Sequence, residues 1–584
     1  MVKIIFYSFV LLFVLNAFSV TDKPNVIFIL ADDMGIGDVK VYRPESKIPT
    51  PQLDQMAAEG MLFTDAHSPS TVCSPTRYAF LTGRYAFRSD RLVQGVLGPW
   101  HNSVFGLVDK DRLTVAKLFK ASSYHTALIG KWHLGFTWPF IGSKPKSGNV
   151  LPEHIDWSKP LDGGPVDIGF DYYFGDDVPN YPPYIFIEND KVVGVPSVPK
   201  PSGVYGKDGP ALPGWDTKAV MPAITAKSVA WIEESAKTDK PFFLFFALTA
   251  PHRPVVPADS FIGLSEAGSY GDFVVEVDWS VGQILNTLKR LGIDSNTFVF
   301  FSCDNGPESD MYFRITEYNH HSAGGYRGAK RDAWEGGHRV PTLAWWPGKI
   351  KANVSSREVI TLTDLFATYA DILNYRLPID AGEDSYNLLP LLLGQTHESP
   401  VREATVHHTI RRGFAIRKGN WKYIDGQGSL GNIYKAGNPN AFLETDPPGQ
   451  LYNMDTDSLE TENLYEIFPD IVGELKTLLD QYKSEKRSAP LQDTAVLQTN
   501  ANVSRLAYFN VSLSNGHLEV QLQNAMPIRI NVFDIQGKLV STRITSGQKT
   551  TISTASFNEG IYILNIPSIP QGGTFTFPVF GSPL

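Results

Sequence analysis

Four largely apolar runs constrain this chain more than any other feature: Asn25-Val26-Ile27-Phe28-Ile29-Leu30, His125-Thr126-Ala127-Leu128-Ile129, Pro241-Phe242-Phe243-Leu244-Phe245-Phe246-Ala247-Leu248 and Thr297-Phe298-Val299-Phe300-Phe301. None alternates apolar with polar positions, so each predicts a strand buried on both faces of a parallel sheet. Helix signals lie between them. Thr50 caps a helix with Pro51 at its first position and Gly60 past its end, and Thr114 caps another that runs to about Ala121. Helices are also predicted over residues 223–235, 273–291 and 361–374, the last with Leu362, Leu365, Phe366 and Tyr369 on one face. Buried strands alternating with helices predict an α/β sheet. Residues that carry chemistry follow the runs closely: Asp32 and Asp33, Lys131 and His133, His252, then Asp304 and Asn305. Open α/β sheets bind ligands beyond the carboxyl ends of their strands, which gathers these side chains on one edge.

A chain of 584 residues is too long for one ordinary core, so two or three domains are expected. Residues 1–19 carry Lys3, an apolar run from Ile4 to Leu15 and the small-x-small ending Ala17-Phe18-Ser19, the pattern of a cleaved secretory signal. That run is short for a membrane span, and no later stretch reads as a transmembrane helix. The formal charge of −9 becomes −10 once Lys3 leaves with the signal. This balance argues against nucleic acid as a partner and requires any anion site to be locally positive.

Two cysteines in an exported chain are compatible with a disulfide. Their contexts suggest another use. Cys73 lies in Thr71-Val72-Cys73-Ser74-Pro75-Thr76-Arg77, where Pro75 suits the first helical position. Cys73 is then expected just ahead of a helix N-terminus, a place that favours negative charge and lowers a thiol pKa. Cys303 lies in Phe300-Phe301-Ser302-Cys303-Asp304-Asn305-Gly306.

Cys-x-Pro-x-Arg resembles the signature of the type I sulfatases, in which the cysteine is oxidised to formylglycine. The companion blocks of that family stand in order over residues 23–488: Leu30-Ala31-Asp32-Asp33-Met34-Gly35, Gly130-Lys131-Trp132-His133-Leu134-Gly135, the segment about His252, Cys303-Asp304-Asn305-Gly306, and Gly328-Ala329-Lys330 leading to Trp334-Glu335-Gly336-Gly337-His338-Arg339-Val340-Pro341. Cys303 departs from the family, where serine is common.

The resemblance implies the alkaline phosphatase-like sulfatase fold, a large mixed sheet flanked by helices, with a catalytic domain at 20–374 and a smaller α+β subdomain at 375–488. It implies Asp32, Asp33, Asp304, Asn305 and the modified Cys73 as ligands of Ca2+, with Mg2+ the alternative, all through oxygen. Arg77 and Lys131 would steady the formylglycine oxygens, Lys330 and His252 would meet sulfate and leaving group, with His252 as proton donor, and His133 would take the proton that lets the aldehyde reform. Expected partners are a sulfated saccharide and a formylglycine-generating maturation enzyme. Phosphodiester or phosphonate hydrolysis within the same superfamily, and an inactive glycan-binding protein, are the competing readings.

Trp138, Trp157, Tyr181 and Tyr184 are candidates for stacking on sugar rings or for loop packing, His407 and His408 for substrate binding, and His67 for a structural role. Beyond a linker at 489–503, residues 504–584 read as short alternating strands broken by Gly537, Gly547 and Gly560, which predicts a small β-sandwich. That segment resembles the sorting domains of type IX secretion, with a carbohydrate-binding β-domain as the alternative. The expected location is secreted or at the cell surface, with the periplasm as the alternative.

Overall fold

A computed structural model describes residues 23–91, 106–143, 152–395, 400–435, 438 and 440–490, together with seven strands between 509 and 579. The expected signal at 1–19 and the linker beyond residue 490 lie outside the described residues.

A ten-stranded sheet organises the first unit, which spans Met1–Ala489. In chain order its strands are β1 (Asn25–Ala31), β2 (Met61–Phe63), β3 (His125–Gly130), β4 (Tyr172–Gly175), β5 (Ile187–Glu188), β6 (Lys191–Val192), β7 (Phe242–Ala247), β8 (Thr297–Cys303), β9 (Thr342–Trp345) and β10 (Val354–Ser356), arranged β10-β2-β9-β8-β1-β7-β3-β4-β5-β6. The four apolar runs therefore lie side by side. β1 pairs in parallel with β7 and with β8, and β3 continues in parallel on β7, while β9 runs antiparallel to β8 and makes the sheet mixed. Every residue of β1, β7 and β8 is buried, because both faces are covered.

One face packs on α2 (Cys73–Thr82), α3 (Val115–Ala121) and α6 (Leu365–Ile372); the other packs on α1 (Pro51–Ala58), α4 (Val220–Ser235) and α5 (Gly268–Leu291). α2 is anchored by Phe80, whose ring centroid lies 4.2 Å from that of Phe28 on β1. Burying such a side chain contributes about 2–3 kcal/mol, enough to hold the helix that carries Cys73 against the central strand. α5 begins at Gly268, more than a turn before the expected start near Phe273, since its opening residues Gly268, Ser269, Tyr270 and Gly271 carry little apolar periodicity. The helix expected over 361–374 is a 3₁₀ turn, Leu362–Asp364, followed by α6.

The smaller antiparallel sheet consists of β11 (Thr405–His408), β12 (Phe414–Lys418), β13 (Trp421–Ile424) and β14 (Gln450–Asn453) in that order. Against it α7 (Pro469–Ser484) packs Val472, Leu475, Leu479 and Tyr482 on Val406, Ile416, Tyr423 and Leu451. The second unit, Pro490–Leu584, holds two antiparallel sheets of three and four strands. Among the described residues no helix is long and apolar enough to cross a membrane.

Candidate active site

The four strand ends converge. Beyond β1 the chain turns through Asp32 and Asp33, the latter in the left-handed region at φ 67°. β8 runs into Asp304 and Asn305, and Cys303 ties the two ends together: its Sγ accepts from Met34 N–H at 3.0 Å and donates to the Asn305 carbonyl at 3.2 Å. Both cysteines are free thiols, so the disulfide reading falls and Cys303 has a structural use. β3 ends in Gly130 at φ 116°, where a Cβ would lie 1.8 Å from the Ala247 carbonyl oxygen. Only glycine lets Lys131 N–H donate to that same carbonyl at 2.8 Å. Past β7, His252 Nδ1 donates to the Arg253 carbonyl at 2.6 Å and leaves Nε2 3.8 Å from Asp33 Oδ2.

Cys73 is the first residue of α2, and Pro75 is the third rather than the first as expected. The whole first turn lacks intrahelical N–H partners, so proline is tolerated at either place. Cys73 Sγ lies 3.5 Å from Asp32 Oδ1 and 4.0 Å from Asp33 Oδ1. The expectation of a lowered thiol pKa is overturned: burial, and then the Asp304 carboxylate, push the thiol up. The helix terminus is outweighed by desolvation and by the facing carboxylates.

Three cations answer those carboxylates. Arg77 donates from Nε and Nη2 to Asp304 Oδ2 at 3.0 and 2.8 Å and from Nη1 to the Lys131 carbonyl at 3.1 Å. Lys131 Nζ donates to Asp32 Oδ2, and Lys330 Nζ to Asp33 Oδ2 at 2.8 Å. Burial opposes ionisation of Asp32, yet Lys131, with His252, Arg77 and Lys330, holds it far below the usual carboxylate range. Burial, and then Lys131, push His252 down to about 4 and His133 well below its ordinary value, so both imidazoles are neutral near pH 7.

The donor set fits a hard divalent cation. Asp32, Asp33, Asp304 and Asn305 are 0–2% exposed. Asn305 gives its Nδ2 to Asp33 Oδ1 and the Gly306 carbonyl, leaving Oδ1 buried with no partner. An orphaned amide oxygen beside three carboxylates is the chemistry Ca2+ or Mg2+ satisfies, and Cys73 and His252 each bring a ligand atom within 4.8 Å of those of Asp32 and Asp33.

Residues 24–375 match the family model described as Sulfatase. The chain belongs to the sulfatase family. This sulfatase is 32% identical to the N-acetylgalactosamine-6-O-sulfatase of Bacteroides thetaiotaomicron, over 80% of its own length and 94% of that protein's. It is 33% identical to human N-acetylgalactosamine-6-sulfatase, over 66% and 69%. A solved structure from work on the metabolism of multiple glycosaminoglycans by Bacteroides thetaiotaomicron superposes with a TM-score of 0.68 at 30% identity, covering 80% of the sulfatase and 100% of that chain. Residues 514–572 match the secretion system C-terminal sorting domain, which points to export and the cell surface. The sulfatase is thus a sulfuric ester hydrolase.

Sequence reasoning missed Asp176 and Asp177, which follow β4 as Asp32 and Asp33 follow β1. Their carbonyls accept from Trp132 N–H and His133 N–H at 3.0 and 2.9 Å, which fixes the Lys131–His133 turn. Both carboxyls are buried with unpartnered oxygens, and burial pushes each up to about 7. A carboxyl raised in the fold stabilises below its unfolded pKa near 4 and loses that contribution as pH rises through about 7. Asp177→Asn is therefore expected to be more stable than the parent at pH 8 by no more than about 4 kcal/mol, with the gain vanishing at pH 4. Thermal melts at the two pH values check this.

His407 and His408 meet the loop ahead of Cys73. His407 Nδ1 donates to the Ser68 carbonyl at 3.2 Å, while the His408 carbonyl accepts from Thr71 N–H at 3.1 Å and from Ser70 Oγ at 3.1 Å. They brace the loop that delivers Cys73. His67, structural as expected, joins His338 through their Nδ1 atoms at 3.0 Å and Asp65 through Nε2 at 2.7 Å, and Lys422 Nζ lies 3.0 Å from His338 Nε2. Lys422, His338, His67 and Asp65 form one row of polar contacts, and His338 Nε2 also lies 3.2 Å from the Ala333 carbonyl. His338 and His407 stack with centroids 3.9 Å apart and rings 9° from parallel. The ligand nitrogens of His67, His338 and His407 lie within 4.8 Å of one another, and the bonds of His67 and His338 along the row make the cluster a hydrogen-bonded seam. Trp138 and Trp157 pack edge to face at 6.0 Å, and Tyr184 donates to the Lys207 carbonyl at 2.6 Å, so for these three packing of the loops prevails over sugar stacking. Tyr181 is half-buried.

Proposed function

We propose that this sulfatase is exported, carries formylglycine in place of Cys73 and Ca2+ on Asp32, Asp33, Asp304 and Asn305, and removes sulfate from a sulfated saccharide, an N-acetylgalactosamine 6-sulfate in the first instance. The orphaned Asn305 Oδ1 beside Cys73 and three buried carboxylates supports the metal most directly. The sugar follows from the names of the relatives.

When bound, the cation and the modified side chain supply a nucleophilic oxygen and neutralise charge on the sulfate oxygens. Arg77, fixed by Asp304, and Lys131, fixed by Asp32, hold that side chain between them. Lys330 on Asp33 keeps positive charge on the substrate side, and the pocket is locally positive within an acidic protein. His252 pins Nδ1–H to a carbonyl, so Nε2 is the atom that exchanges a proton. An anionic ester opposite Nε2 raises its proton affinity and lets it protonate the leaving alcohol. His133 Nδ1, buried and without a partner, takes up the proton whose removal restores the resting site.

Export rests on the sorting domain and on the signal-like residues 1–19. The partners are the maturation enzyme that modifies Cys73 and the type IX secretion machinery, and the product is secreted or held at the cell surface. Two results are expected. The mature enzyme turns over an aryl sulfate faster than the matching aryl phosphodiester; the reverse preference overturns the assignment. Chelation by EDTA abolishes turnover and Ca2+ or Mg2+ restores it, whereas full activity in EDTA contradicts the metal site.

A further inference from the structure

We infer that Arg331 is a specificity residue that binds a second anionic group of the substrate, a carboxylate or sulfate on the sugar next to the ester being cleaved; this rests on the sulfatase reading above. Arg331 sits at φ 82°, a conformation glycine adopts freely and a long side chain adopts at a cost. The backbone is clamped there from several sides. Its N–H donates to the Thr71 carbonyl at 2.9 Å, two residues before Cys73, and Lys330 N–H donates to the Pro307 carbonyl at 2.8 Å. Asn432 Nδ2 donates to the Lys330 carbonyl at 2.9 Å, and Gly431 packs so closely that a Cβ on it would fall 1.8 Å from the Arg331 carbonyl oxygen.

A strained turn of this kind has no structural need for arginine. Arg77, Lys131 and Lys330 are buried and committed to Asp304, Asp32 and Asp33. The Arg331 side chain is 31% exposed beside them, and its Nη1 and Nη2 donate to Glu308 at 2.5 and 2.7 Å. Glu308 orients the guanidinium and leaves its remaining N–H donors free for an oxyanion. Its N–H holds the Thr71 carbonyl two residues before Cys73, and its neighbour Lys330 bonds Asp33 at 2.8 Å, so it lies at the edge of the reacting centre.

The test compares wild type with Arg331→Gly, which relieves φ 82° but strands Glu308, and with Arg331→Gly joined to Glu308→Gln, which removes both charges; thermal melts show that each variant folds. Four substrates are used: a monosulfated hexosamine, and disaccharides in which its neighbour carries a carboxylate, a sulfate or neither. The ratio of kcat/KM for an anionic-neighbour disaccharide to that for the monosaccharide is expected to fall about 10- to 100-fold, mostly through KM, the range for a charge-assisted hydrogen bond. Which of the two anionic disaccharides responds separates carboxylate from sulfate. Unchanged ratios for both overturn this inference and leave the sulfatase reading intact. Failure of the wild type to desulfate any of the four overturns both.

Discussion

Replacing Cys73 by alanine is expected to lower turnover of any sulfate ester by about 10⁵-fold or more, the scale of removing a nucleophile that acts with its neighbours as a unit. The fold should survive. The hydrogen-bond contacts of Cys73 with Asp32 and Asp33 are long, at 3.5 and 4.0 Å, and α2 is held by Phe80 and Arg77 instead. Retained activity with an unchanged melting temperature would remove position 73 from the chemistry. Cys303 supplies the contrast, because it holds the Met34 N–H and the Asn305 carbonyl rather than substrate. Cys303→Ala should cost about 1–3 kcal/mol through an unsatisfied buried N–H and keep measurable turnover.

Arg77→Ala should fail differently, losing stability and activity together. Asp304 is wholly buried, and Arg77 gives its Oδ2 two hydrogen bonds. Truncating the arginine strands that carboxylate, for which about 3–5 kcal/mol is the usual penalty. Arg77→Lys cannot restore the two-pronged contact or the third bond to the Lys131 carbonyl, so it should recover little. Joining Arg77→Met with Asp304→Asn removes both charges and should return much of the stability and none of the turnover. Denaturant melts separate the cases: a loss below about 1 kcal/mol for Arg77→Ala would mean the pair behaves like an exposed one.

Much of this was legible in the chain. Apolar runs without alternation identified β1, β3, β7 and β8, and the polar residues after them marked the edge where the site forms, because strand burial and strand-end chemistry are local in sequence. The long-range bonds were not legible. That Cys303 bridges two strand ends, that Asp176 and Asp177 fix the Lys131–His133 turn, and that His407 meets His67 and His338 depend on segments far apart in the chain. The raised Cys73 thiol was missed for the same reason: a helix terminus can be read from Pro75, whereas burial beside Asp304 and Asp32 cannot. Asp176-Asp177 did carry a readable signal, a pair of acids directly after a buried strand, as at Asp32-Asp33.

Hydrolysis at sulfur of a sulfated sugar is tested most directly by the fate of oxygen. The mature enzyme is incubated with defined sulfated oligosaccharides in heavy-oxygen water, and the products are weighed by mass spectrometry. The expected product is a sugar lighter by its sulfate and free of label, with the heavy oxygen in the released sulfate. Label in the sugar, or no sulfate released from any member of the set, contradicts the assignment.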